Sequence, residues 1–331
     1  MTNSKFIILK FMFCLGILLS ISACTSVKLN LFSGKSEALK EFQLSGSGKN
    51  RILIIPINGM ISNDSGISIF SEKAGMLENI KAQLQYAQHH TDIKGIVLLI
   101  NSPGGLVTTS DIIYKELLDF KHKTGTKIVV SMMDIATSGA YLISLAADEI
   151  TAHPTTVTGS VGVIFIRPEL YGLMNKIGIG VNVSKSGTNK DMGSPFRPQT
   201  SEEADLFQNV INNFNNKFQT LVQKHRNLSE DKMKIVATAR IFVADEALDL
   251  GLIDKICYLE DAIADCKKFA GLKKNASVVV FRRKYYANDN IYNTSQSHSQ
   301  MSEISLIKLP VFKNLSSIST GFYSIWPGAI Y

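Results

Sequence analysis

A serine stands among small residues in Asp134-Ile135-Ala136-Thr137-Ser138-Gly139-Ala140-Tyr141. The run before it, Lys127 to Met133, is apolar and reads as a buried strand. The run after it, Ala140 to Ala147, reads as a small-residue helix. A serine at a strand-to-helix turn can present its hydroxyl to a cleft beside backbone N–H groups, which is what a nucleophile requires. Thr-Ser-Gly is also an ordinary helix N-cap, so the turn has two readings when taken alone.

Acyl transfer further needs a base and N–H donors for the oxyanion. Asn101-Ser102-Pro103-Gly104-Gly105 follows an apolar strand, Gly95 to Ile100. It therefore falls at the carboxyl edge where α/β sheets place their sites. Glycine there lets the backbone approach a substrate carbonyl, and a tight turn after the strand explains it equally well. His153, the histidine nearest Ser138, has no evident acidic partner to orient it. A lysine can serve instead, activating a serine directly when held neutral. Lys185 in Val183-Ser184-Lys185-Ser186-Gly187 and Lys190 in Thr188-Asn189-Lys190-Asp191-Met192 are the candidates, and residue chemistry leaves both open. No cysteine or histidine pair has metal-ligand spacing, so neither metal nor cofactor is expected.

The elements that must position these residues alternate. Strands are expected from Arg51 to Ile57, from Gly95 to Ile100 and from Lys127 to Met133, with helices over 74–92 and 108–122 between them. Strands apolar on both faces and alternating with helices imply a parallel sheet covered by helices, joined by right-handed crossovers. Short strands follow at Glu149 to Ala152, Ser160 to Phe165 and Arg240 to Val243. Thr200-Ser201-Glu202-Glu203 caps a long amphipathic helix, 200–226. A shorter helix is expected around 230–237, and another, from Ala244, is stopped at Gly251.

The chain has 331 residues, 45% of them hydrophobic, with a net charge of +7 spread along its length. That suffices for a sizeable core. No aromatic platform or reader motif accompanies the charge, so nucleic acid is not an expected partner. Lys5 precedes an apolar run from Phe6 to Ala23, the layout of a secretory signal or membrane anchor. Its end, Leu19-Ser20-Ile21-Ser22-Ala23-Cys24, resembles a bacterial lipobox with Cys24 as the lipid attachment site. The chain is thus expected to be exported and membrane-anchored in a bacterial envelope, with its body on the extracytoplasmic side. Of the four cysteines, Cys257 and Cys266 alone lie in the body and read as two buried thiols. The organisation expected is a targeting segment (1–24), a polar tether (25–50), one catalytic domain (51–285), and a flexible segment with an apolar-aromatic tail (286–331).

Taken in order, Asn101-Ser102-Pro103-Gly104-Gly105, Asp134 to Tyr141, and Thr158-Gly159-Ser160-Val161-Gly162-Val163 resemble the signal peptide peptidase A family of serine peptidases (S49). The likeness runs over roughly 50–258 and takes in Ser194-Pro195-Phe196-Arg197 and the stretch from Glu246 to Asp254. It implies a ClpP/crotonase-like α/β fold. Ser138 matches the nucleophile and Lys190, 52 residues later, the general base, which selects it over Lys185. Gly105 matches the oxyanion donor, with the Gly139 N–H as second donor, and Ser160 matches the serine that orients the lysine. Ala140, Leu142, Ala239 and Asp245 depart from the family pattern, and none of them belongs to the catalytic set. The resemblance further implies cleaved signal peptides or other apolar peptides as substrates, and a homo-oligomer, tetramer or octamer. Two other readings share the fold: an inactive membrane-anchored scaffold and a crotonase-type acyl-CoA enzyme.

Overall fold

The longest apolar runs become the central strands. The computed structural model describes residues 38–63, 67–68, 71–72, 75–283, 285–292 and 320–329. The expected targeting run and Cys24 lie outside them. Among the described residues, no helix is long and apolar enough to cross a membrane. In chain order the main body holds β1 (Lys40–Ser45) and β2 (Gly48–Asn58). Ile67–Ser68 (β3) and Ser71–Glu72 (β4) pair antiparallel in a small unit of their own. The body resumes with α1 (Met76–His89), β5 (Ile93–Ser102), β6 (Gly104–Leu106), α2 (Val107–Thr124), β7 (Lys127–Thr137) and α3 (Gly139–Ser144). Next come β8 (Glu149–Ala152), β9 (Val157–Gly159), β10 (Ile164–Ile166), α4 (Tyr171–Ile177), α5 (Ser201–Arg226), α6 (Glu230–Val236) and β11 (Ile241–Val243). The last elements are α7 (Ala244–Leu250), β12 (Lys255–Ile256), α8 (Leu259–Phe269), β13 (Ala276–Arg282) and β14 (Gly321–Ile325).

The main sheet runs β1-β13-β2-β5-β7-β8-β12. Every pair from β13 to β12 is parallel, and β1 closes the edge antiparallel to β13. Alternation along the strands feeds two cores. Leu53, Ile55, Leu98, Ile100, Val130 and Met132 face one layer with residues of α1, α2 and α3, while Ile52, Ile54, Val97, Leu99 and Val129 pack with Leu259, Ala262, Ile263 and Cys266 of α8. Burying each such side chain is worth about 1.5–3 kcal/mol, which is why strands apolar on both faces settle in the middle. Cys257 and Cys266 are both free and buried.

Local signals act as expected at the helix ends. Thr200 and Glu203 form a reciprocal capping box at the start of α5, and Gly251 ends α7 in the left-handed conformation at φ 86°. The sheet reaches further out than expected, taking in Lys40–Ser45 from the polar stretch before Arg51. The strand expected from Ser160 to Phe165 does not form as one piece. Gly159 and Ser160 both have positive φ (88° and 51°), a conformation no strand can continue through. β9 therefore stops at Gly159, and β10 starts at Ile164 in a different sheet, β10-β14-β6.

Candidate active site

Ser138 sits where β7 ends and α3 begins. Its backbone is at φ 56°, ψ −116°, and its side chain makes no capping hydrogen bond to the helix. The N-cap reading of this turn therefore does not hold. What remains is a sharp, strained strand-to-helix elbow of the kind that exposes a nucleophile. The turn is fastened on both sides: the Ser138 N–H donates to the Gly159 carbonyl (2.8 Å), and the Leu142 N–H donates to the Ser138 carbonyl (2.9 Å). β9 and β11 in turn hold the Gly159 to Gly162 loop, with the Ser160 N–H donating to Arg240 (2.9 Å).

The Ser138 hydroxyl is buried. It lies 3.3 Å from the Gly162 carbonyl and 2.8 Å from the hydroxyl of Ser324, which itself donates to Gly162 (3.1 Å). Ser324 belongs to β14, a strand held antiparallel between β6 and β10. The apolar-aromatic composition of the C-terminal tail does not tell that it enters this cleft.

Gly104 and Gly105 cannot be replaced without moving backbone. Gly104 has φ 95°, and a Cβ there would overlap the Ser324 carbonyl oxygen and stand 2.8 Å from the Gly139 nitrogen. A Cβ on Gly105 would overlap Ile61. Ile61 holds the turn from behind, its N–H donating to Gly104 and its carbonyl accepting from Leu106, both at 2.8 Å. The polar groups of Gly105 itself therefore face away from Ile61, on the side of β14, where Gly105 lies opposite Ser324. Gly139 likewise has no room for a Cβ, which would overlap the Ser110 hydroxyl and stand 3.0 Å from the Ser324 carbonyl oxygen.

The structure thus brings together Ser138, Gly105 and Gly139, with Ser160 on the adjoining loop. Lys190 is not joined to them. It lies in an exposed turn, its N–H donating to Gly187 (3.1 Å), and its side chain makes no hydrogen bond or ion pair among the described residues. The Ser160 hydroxyl likewise makes none. Lys185 is differently placed: its ammonium bonds the Asp191 carboxylate (2.7 Å) and the Thr188 carbonyl (2.8 Å). Asp191 is held well below the usual carboxylate range by Arg197 first and Lys185 second. Arg197 also pairs with Glu203 at the start of α5.

The Peptidase family S49 model matches residues 121–273, and the Clp protease model matches 53–157. A protein of Enterococcus faecium named as a signal peptide peptidase SppA is 33% identical over 252 residues, covering 76% of this chain and 73% of its own. Protease 4 of Haemophilus influenzae is 29% identical over 73% of this chain and 38% of its own length. The chloroplastic serine protease SPPA of Arabidopsis thaliana is 32% identical over 70% and 34%. The chain therefore spans close to three quarters of the first relative and little more than a third of the other two. It belongs to peptidase family S49 and is a serine peptidase similar to signal peptide peptidase SppA.

Proposed function

We propose that the protein is a membrane-associated endopeptidase with a Ser138–Lys190 dyad, acting on cleaved signal peptides or other apolar peptides outside the cytoplasm. The observation that carries the reading is the strained elbow at Ser138, closed in by the Gly104-Gly105 turn and Gly139. In the mechanism, the neutral Lys190 amine takes the Ser138 proton while the oxygen attacks a peptide carbonyl, and the oxyanion rests on the N–H groups of Gly105 and Gly139. Lys190 then protonates the leaving amine and activates the water that releases the acyl-enzyme. Ser160 orients the amine. Lys185 suits this role poorly, because its side-chain nitrogen is already engaged by the Asp191 carboxylate and the Thr188 carbonyl. The apolar run from Phe6 to Ala23, with Cys24 as its lipidated end, supports anchoring in a bacterial envelope. A homo-oligomer, tetramer or octamer, is part of the proposal.

Ser138→Ala and Lys190→Ala should each lower hydrolysis of an apolar signal-peptide substrate by about 10³-fold or more, with the fold retained by circular dichroism. Lys190→Arg should fail equally, because guanidinium cannot act as a base near neutral pH. Hydrolysis kept in any of the three removes the dyad.

A further inference from the structure

The nucleophile strand carries a kink just before Ser138, and one side chain of the neighbouring strand spans it. β5 and β7 pair regularly as far as Ile100 opposite Met132, and the next pair is Ser102 opposite Ala136. A single β5 residue, Asn101, therefore faces three of β7: Met133, Asp134 and Ile135. The extra residues fall where β7 changes partner, pairing with β8 up to Met132 and with β9 from Ile135. A bulge of this kind bends the strand and re-aims the side chains beyond it. Ser138 follows directly, at the end of the β9-paired stretch.

Both flanks of the kink are held. On one side the His153 N–H donates to the Met132 carbonyl (3.0 Å). The buried Thr156 hydroxyl lies there too, 2.6 Å from the Met133 carbonyl and 3.0 Å from that of Met132. On the β5 side the Asn101 amide spans the bulge. Its Nδ2 donates to the Asp134 carboxylate (2.8 Å), and its Oδ1 accepts from the Ile135 N–H (3.2 Å). Meeting both needs a donor and an acceptor on one planar group, which neither aspartate nor leucine offers. Asn101 is itself fixed, because its carbonyl accepts from the Gly59 N–H (2.9 Å). Ser102 and Pro103 then lead into Gly104-Gly105. One amide thus joins the strand that ends in the glycine turn to the strand that ends in Ser138.

We infer that Asn101 and Asp134 are a positioning pair for hydrolysis, whose hydrogen bond sets where Ser138 Oγ stands relative to the Gly104-Gly105 turn. The inference rests on Ser138 as the nucleophile and is independent of which lysine serves as its base. A slack bulge displaces the hydroxyl from the carbonyl it attacks, so turnover falls while binding along the cleft is kept. Misplacement by about 1 Å costs on the order of 10²-fold in rate. The chemistry of the pair also sets an asymmetry. Asp134→Asn keeps an oxygen for the Asn101 donor. Asn101→Asp keeps the acceptor for Ile135 but sets two carboxylates against each other. Combining the two exchanges donor and acceptor, and the bond returns.

The full-length wild type, both single variants and the double variant are compared for kcat and KM on a quenched fluorescent apolar signal peptide. The rate of Ser138 labelling by a fluorophosphonate is read alongside, with melting temperature as the folding control. Asn101→Asp should lose about tenfold or more in kcat and in labelling rate at unchanged KM, while Asp134→Asn stays within about twofold of wild type. Asn101→Asp/Asp134→Asn should regain most of both rates. An Asn101→Asp protein as fast as wild type, one that loses through KM alone, or a double variant no better than it, overturns the inference. Should Asn101→Asp not fold, Asp134→Ala removes only the exposed acceptor and must show a kcat loss at unchanged KM. A wild-type kcat in Asp134→Ala overturns the inference equally. A wild type that neither hydrolyses the peptide nor takes the label removes Ser138 as the nucleophile instead.

Discussion

Ser138 carries a Cβ in a backbone conformation that side chains avoid, φ 56° with ψ −116°. Such a residue costs of the order of 1–3 kcal/mol and persists only where its surroundings impose it. Here they do, through the Gly159 carbonyl behind the Ser138 N–H and the start of α3 in front. The strain can be read out by comparing two variants that both lack the hydroxyl. Glycine is normally less stable than alanine by about 0.5–1 kcal/mol inside regular structure. At position 138 the order should reverse, with Ser138→Gly about 1 kcal/mol more stable than Ser138→Ala in urea unfolding. Alanine equal to or better than glycine would mean that the elbow stores no strain.

At the scale of elements, helices α2 and α5 meet through a titratable pair. Tyr114 Oη lies 2.7 Å from His225 Nε2, with the rings edge to face at 5.7 Å. Burial holds His225 below the usual imidazole range, and the Lys224, Lys121 and Arg226 charges push the same way. The unfolded chain, with His near 6.5, then binds more protons than the folded one as the pH falls. Stability from this contact is therefore full above about pH 6.5 and lost progressively below it. His225→Phe should flatten the fall in melting temperature between pH 7 and pH 5, and equal slopes in the two proteins would rule the contact out as its cause. Several elements were legible from local pattern: α5 by its capping box, and β2, β5 and β7 by apolar runs on both faces. Other elements were not, because their partners are far away in sequence. β1 is polar by composition and becomes a strand through pairing with β13, Lys40 opposite Arg282. β14 likewise exists through its partners β6 and β10. Within the site, Ser138 and the Gly104-Gly105 turn could be placed by their position after strands. The occupant of the cleft could not, since only the register shows it.

The scale of the whole molecule bears on the one functional residue that stands apart. Lys190 lies on a stretch that leaves Leu173, Ile177, Ile179, Val181 and Val183 between 46% and 59% exposed. In the homo-oligomer proposed above, these exposed apolar side chains would have a neighbouring copy to pack against. The turn is also tied down on its own chain: Asp191 bonds both Lys185 and Arg197, and Arg197 reaches Glu203 at the start of α5. A segment anchored to α5 and apolar on its outer side is suited to docking on a neighbouring copy and carrying Lys190 to that copy's Ser138. In a ring of such head-to-tail contacts, each site takes its serine from one subunit and its lysine from the next. Two dead variants then complement each other. Ser138→Ala still offers Lys190, and Lys190→Ala still offers Ser138. In a random equimolar mixture each needed neighbour has a chance of one half, so co-refolded subunits should regain about a quarter of wild-type activity. A mixture as inactive as its components would place both members of the dyad within a single chain.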